Sequence, residues 1–229
     1  MINDKKKVGL IVAIETDSIF DYYGRIERLE CPVGFQLYRT ESGNAVIYIL
    51  KTGMGEIAAA SGTQYLITRF DIGIIVNFGV VGGLTEEMKK CRLCVVERVV
   101  HYRYDCSEFL DLKVGQVDGY DSLYLPTDAG LAEKAKKLCP EIIGVTCCSG
   151  DKFISGEAEK RSIHEQFAGD ICEMEAAGIL LTCRTNKVPC LLLKAVSDSL
   201  SGGSGEFFDA LRDASLQCLK VTDKIISTL

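Results

Sequence analysis

An α/β fold with a largely parallel central sheet is what this sequence predicts, on three observations. First, Val8-Gly-Leu-Ile-Val-Ala-Ile14, Ile72-Gly-Ile-Ile-Val-Asn-Phe-Gly79 and Pro189-Cys-Leu-Leu-Leu-Lys-Ala-Val196 are unbroken apolar runs rich in β-branched residues, as in strands buried on both faces. Second, such runs alternate with helical segments. Third, a polar or glycine-rich segment follows each run, and ligands in open parallel sheets sit beyond the carboxyl ends of strands. With 229 residues, 47% of them hydrophobic, one sizeable core can be buried. No repeat, low-complexity tract or linker divides the chain, so residues 1–229 read as one domain.

The elements follow in order. After the first strand, residues 15–27 read as a polar helix. Residues 35–39 and 45–50 flank Thr40-Glu-Ser-Gly-Asn44, a hairpin signal. Gly53-Met-Gly55 breaks the chain, and residues 57–69 form a helix before the second buried strand. That strand is expected to end in a glycine-rich loop, Gly79-Val-Val-Gly-Gly83, and residues 91–100 to form another strand. Residues 102–127 are aromatic, acidic and irregular, as in a loop at an interface or over a pocket. A short helix at 131–138, a strand at 142–149 and helices at 157–167 and 173–186 precede the last buried strand. Ser197-Asp-Ser-Leu-Ser-Gly-Gly-Ser-Gly205 reads as a flexible loop, and residues 207–229 as a closing amphipathic helix.

Composition narrows the function classes. A net charge of −6 gives no support for nucleic-acid or anionic-membrane partners. The longest apolar runs are too short to span a bilayer. The basic start, residues 1–7, does not read as a signal peptide, which points to the cytoplasm. Eleven cysteines scattered through apolar segments read as buried, reduced thiols rather than a disulfide scaffold. Cys91-Arg-Leu-Cys94 has CxxC spacing, but it runs into a strand and has no second CxxC, so no metal site is expected. No cofactor is expected either: Gly79–Gly83 matches neither GxGxxG nor GxxxxGK[ST].

Chemistry is left to the strand ends, at Glu15-Thr-Asp17, Asn77-Phe-Gly-Val-Val-Gly-Gly83, Ser149-Gly-Asp-Lys-Phe153 and Ser197-Asp198. A carboxyl group at Asp198, partly desolvated and oriented by Ser197, suits a general acid, or else a turn cap. Glu173-Met-Glu175 is expected to open a helix. Two residues apart on a helix, the carboxylates cannot share a face. One suits the vicinal hydroxyls of a ribose, with Met174 against the sugar, and charge favourable to the helix start is the alternative.

Taken together, Gly53-Met-Gly55, Asn77-x-Gly-x-x-Gly-Gly83, Ser149-Gly-Asp-x-Phe-Ile154, Glu173-Met-Glu-Ala-Ala177 and Lys194-Ala-Val-Ser-Asp198 stand in the order of the purine nucleoside phosphorylase and hydrolase superfamily. The chain most resembles its 5′-methylthioadenosine/S-adenosylhomocysteine nucleosidases, from about Val8 to the C-terminus. The resemblance implies a three-layer α/β/α sandwich around a twisted mixed, mainly parallel sheet, usually as a homodimer, acting on a small-molecule purine nucleoside. It implies that Asp198 protonates purine N7, that Phe153 stacks on the base, and that the Ile154 backbone bonds its edge. Glu175 would hold the ribose hydroxyls with Met174 on the sugar, Met54 and Phe208 would lie near the 5′ substituent, and Phe109 would reach into the partner's site. Ile14 would be a further substrate-binding position. The sequence departs from the nucleosidases at three positions that the resemblance assigns to the attacking water. The carboxylate matching their glutamate is Asp17, a small hydroxyl residue is replaced by Val80, and an arginine by Lys194. Phosphorolysis instead of hydrolysis would need several cations converging on an anion, and neither residues 15–18 nor residues 79–83 contain Arg or Lys. A nucleosidase for another base or 5′ group, or a nucleoside-binding protein without turnover, are the other readings.

Overall fold

Strands and helices alternate as expected. The computed structural model describes residues 5–229, so the basic segment at 1–7 lies partly outside the described residues. The strands are β1 (Lys6–Val12), β2 (Glu27–Leu29), β3 (Gln36–Ser42), β4 (Ala45–Lys51), β5 (Ile74–Gly83), β6 (Leu93–His101), β7 (Leu125–Pro126), β8 (Ile143–Ser149), β9 (Ile171–Glu173) and β10 (Cys190–Asp198). The helices are α1 (Thr16–Tyr23), α2 (Glu56–Phe70), α3 (Ala129–Leu138), α4 (Glu157–Phe167), α5 (Ala176–Asn186) and α6 (Ser204–Ile226).

Among the described residues, all ten strands join one mixed sheet. Parallel pairing unites the strands that carry the central motifs: β1 with β4 and β5, and β5 with β10. Antiparallel pairing builds the predicted β3–β4 hairpin, extends it with β2, which was not foreseen, and also joins β10 to β6, β5 to β9 and β6 to β7. Because β10 pairs with both β5 and β6, the path β5–β9–β8–β6–β10 closes on itself as a ring. Helices cover both sides. Ala59 and Leu66 of α2 pack with Ala176, Ile179 and Leu180 of α5 in one core. Ile19 of α1, Ala132 of α3 and Leu219 of α6 pack in another. The layers are those of an α/β/α sandwich.

The structure departs from the sequence reading in several places: the helix expected at 15–27 ends at Tyr23, and the short strands β2, β7 and β9 were not foreseen. Gly79–Gly83 is not a loop but the end of β5. Residues 79–82 are paired with β10 and residues 82–83 with β9, so partners distant in sequence extend the strand through its glycines. Glu173 does not open a helix. It ends β9, and α5 starts three residues later. The glycine-serine loop is short, since α6 begins at Ser204. The eleven cysteines are free, and eight are buried. Among the described residues no helix is long and apolar enough to cross a membrane.

Candidate active site

The carboxyl ends of β1, β5, β8, β9 and β10 frame a cavity of about 550 Å³, open mouth included, within the size range of small-molecule sites. Seven of the predicted binding residues line it: Ile14, Met54, Val80, Phe153, Ile154, Met174 and Glu175. The predicted acid, Asp198, lines it as well. Polar groups within a mainly apolar wall fix a ligand's orientation.

Asp198 closes the inner end of β10 and is 1% exposed. Its Oδ1 lies 2.8 Å from Ser197 Oγ, and Ser197 Oγ lies 3.1 Å from the Val81 carbonyl oxygen. One hydroxyl hydrogen cannot serve two acceptors. The Ser197 hydroxyl therefore donates to Asp198 Oδ1 or, turned away, to the Val81 carbonyl. On Oδ2, Lys160 Nζ donates at 2.6 Å.

Glu175 is the N-terminal flanking residue of α5. Gly53 and Gly55, with φ of 86° and 101°, turn the chain around Met54 in a conformation that favours glycine. The turn aims the Gly55 N–H at Glu175 Oε1, 2.8 Å away. Burial, then the nearby charge of Glu173, pushes the Glu175 carboxyl up to about 7, against the pull of Lys194. Glu173 plays another part. Its carboxylate accepts from the backbone N–H groups of Glu175 and Ala176 at the start of α5, and from Lys194 Nζ at 3.0 Å. Burial opposes charge on both partners. The ion pair prevails, lowering the Glu173 carboxyl and raising Lys194. The helix-start reading of this carboxylate is therefore the structural one.

Asp17 requires correction. It lies in the first turn of α1, exposed, and lines a neighbouring cavity with Phe208 and Arg212. Glu15, the residue just before α1, takes the place expected of it. Glu15 is buried, its Oε2 accepts from the Ile14 N–H at 2.9 Å, and its Oε1 accepts from the Val80 N–H at 3.1 Å. The physical cause is the start of the helix: one residue before it, the side chain points back over the sheet, whereas in the first turn a carboxylate faces solvent and favours the helix dipole. Val80 thus contributes its backbone, and its missing hydroxyl is no loss to the carboxylate. A Cβ at Gly79 would stand 2.9 Å from Glu15 Oε1 and 3.8 Å from Lys194 Nζ, so the glycine lets these groups converge.

The other predicted residues fall in three places. Ser197 and Lys194 are buried behind the wall and touch Asp198 and Glu173. Phe208 borders the second cavity and meets Phe207 edge-on at 5.3 Å; Phe207, not foreseen, lines the first cavity and meets Phe153 at 5.2 Å. Phe109 is 74% exposed and lines neither cavity. Lys160 was also missed. Its signal was helical spacing, since it shares a buried stripe of α4 with Ile163 and Phe167.

Comparisons with known proteins bear on the family and the fold. The family profile of the phosphorylase superfamily matches residues 7–227. A 5′-methylthioadenosine/S-adenosylhomocysteine nucleosidase of Exiguobacterium sp. is 31% identical over 231 residues, covering 97% of this chain and 98% of the relative. An aminodeoxyfutalosine nucleosidase of Campylobacter jejuni is 30% identical over 189 residues, covering 81% and 80%. Among solved structures, the 5′-methylthioadenosine/S-adenosylhomocysteine nucleosidase of Neisseria meningitidis in complex with methylthio-immucillin-A superposes with a TM-score of 0.90 at 25% identity, covering 98% of this chain and 100% of the other.

Proposed function

This chain belongs to the phosphorylase superfamily, and we propose that it hydrolyses the N-glycosidic bond of a purine nucleoside, 5′-methylthioadenosine or S-adenosylhomocysteine, releasing adenine. The observation that carries hydrolysis rather than phosphorolysis is the charge of the cavity. Glu15, Glu173, Glu175 and Asp198 line it. Its one lining lysine, Lys152, bonds Glu159, and the two lysines behind it, Lys194 and Lys160, are taken by Glu173 and Asp198. A phosphate ion would meet four carboxyl groups and no free cation among these residues, whereas a water molecule needs only an acceptor.

Cleavage passes through an oxocarbenium-like state, which needs an acid at the leaving base, contacts to the sugar and a nucleophile at C1′. In this reading Phe153 stacks on the purine and the Ile154 backbone bonds its edge. Asp198 passes a proton to N7. The C1′–N9 bonding pair goes to the base, which leaves as neutral adenine. Glu175 accepts from the ribose hydroxyls, with Met174 and Ile14 against the sugar. Glu15 takes a proton from the water as its oxygen bonds to C1′. The net change is water divided between sugar and base, and proton exchange with solvent restores both carboxyl groups. Met54 and Phe208 flank the 5′ substituent, and Phe109 serves the site of a partner copy in a homodimer working in the cytoplasm.

The test is base release from a panel of 5′-methylthioadenosine, S-adenosylhomocysteine, aminodeoxyfutalosine and inosine, with and without phosphate. Adenine release independent of phosphate is expected. Turnover that collapses in phosphate-free buffer overturns hydrolysis, and tight binding without release makes the chain a nucleoside-binding protein.

A further inference from the structure

Lys160 lies outside the cavity wall yet touches the acid. It is fully buried on α4, and its Nζ meets three oxygens: Asp198 Oδ2 at 2.6 Å, the Ser199 carbonyl at 2.6 Å and the Gly202 carbonyl at 3.1 Å. An ammonium has three protons, and here each has one acceptor. None is left for a substrate, so any effect of Lys160 on the reaction passes through its partners.

Two consequences follow from this geometry. Oδ2 accepts from a cation, so a proton placed on Oδ2 would face the ammonium. The proton that Asp198 exchanges with the base is therefore carried by Oδ1, the oxygen beside Ser197. The same nitrogen also ties down residues 199–202, the segment between the acid and α6, whose first turn carries the cavity residue Phe207. Burying an ammonium is unfavourable unless it is fully paired, and an apolar residue of similar size would suit the stripe formed with Ile163 and Phe167. The site retains the charge nonetheless.

We propose that Lys160 is a positioning residue for base departure: it fixes the Asp198 carboxyl by its Oδ2, reserves Oδ1 for the transferred proton, and holds the 199–202 segment against the acid. This rests on Asp198 being the acid, as inferred above.

A leaving group that needs no proton separates this role from general scaffolding. 4-Nitrophenyl β-D-ribofuranoside loses a stable nitrophenolate, whereas adenine must be protonated to leave. In Lys160→Met, with folding checked by circular dichroism, kcat/KM for 5′-methylthioadenosine is expected to fall about 100-fold, the scale of a general acid's contribution. For the nitrophenyl riboside it is expected to stay within about fivefold, well below that acid contribution. Lys160→Gln, which keeps a polar donor without the charge, is read by the same ratio if the methionine variant does not fold. Equal losses on both substrates, or no loss on either, overturn the proposal. A wild-type protein that cleaves the nitrophenyl riboside but releases no adenine would defeat the assignment of function instead, and so the two failures are distinguishable.

Discussion

Asp198 and Glu15 both present a carboxyl group to the cavity, but they are held in unlike ways. Asp198 is gripped by side chains, Ser197 on one oxygen and Lys160 on the other. Glu15 is gripped by the main chain, through the N–H groups of Ile14 and Val80. A group held by side chains depends on which residues surround it. A group held by backbone depends on the path of the chain, and tolerates changes in side-chain identity such as valine for a hydroxyl residue at position 80.

Substitutions can break or sharpen that contrast, and the largest effect is expected at the acid. Asp198→Asn should remove adenine release by about 10²- to 10⁴-fold, the range for a general acid, while nucleoside affinity by calorimetry stays within about tenfold. Full activity in that variant would remove Asp198 from the chemistry. Glu15→Gln should lower kcat by about 100-fold, again on the scale of proton transfer. Next comes the chain path: Gly79→Ala, whose methyl would press on Glu15 Oε1, should cost about tenfold in kcat, whereas Val80→Thr should change it less than about threefold, a backbone-held group being indifferent to that side chain. If the order is reversed, the main-chain account of Glu15 is wrong. Asp17→Asn, at an exposed helix turn, should also stay within about threefold; strong impairment there would restore Asp17 to the water.

Glu175 adds a pH test. Only the ionised carboxyl has both oxygens free to accept from the ribose hydroxyls, so KM should climb as the pH falls below about 7, and in Glu175→Gln that dependence should vanish. Stability runs the other way. The folded value lies above the ordinary carboxyl value of 4.5, so the contribution to stability is complete below about 4.5 and is lost as the pH rises through about 7. Glu175→Gln should therefore melt at a higher temperature than the parent protein at pH 8, with the difference shrinking toward pH 4.5. A melting temperature that does not rise at pH 8 would count against the buried, crowded carboxyl.

The contrast between the two carboxyl groups also explains what the sequence could reveal. Asp198 and Phe153 were legible because each closes or follows an apolar run, whereas Glu175 was singled out from Glu173 only through the resemblance carried by Glu173-Met-Glu-Ala-Ala177. Glu15 and Asp17 share one strand end, and the choice between them turns on where α1 begins, a boundary that sequence places only to within a few residues. Lys160 sits in a helix of charged residues and reads as surface. Only its register with Ile163 and Phe167 reveals a buried face. Residues 79–83 look like a loop because glycines suggest one, while the two strands that make them a strand come from residues 171–172 and 194–198. The α/β class, by contrast, rests on alternation and buried-strand composition, which are local and were readable.

The closed ring of β5, β9, β8, β6 and β10 has a consequence for the order in which the molecule comes apart. A closed set of strands has no edge from which pairing can peel, whereas β2 hangs at the free end of the β4–β3–β2 edge. Under native conditions the backbone amides of Val76 and Leu192 should exchange with deuterium only through global opening, and those of β2 long before it. The acid at the end of β10 is thus mounted on the last part of the protein to yield.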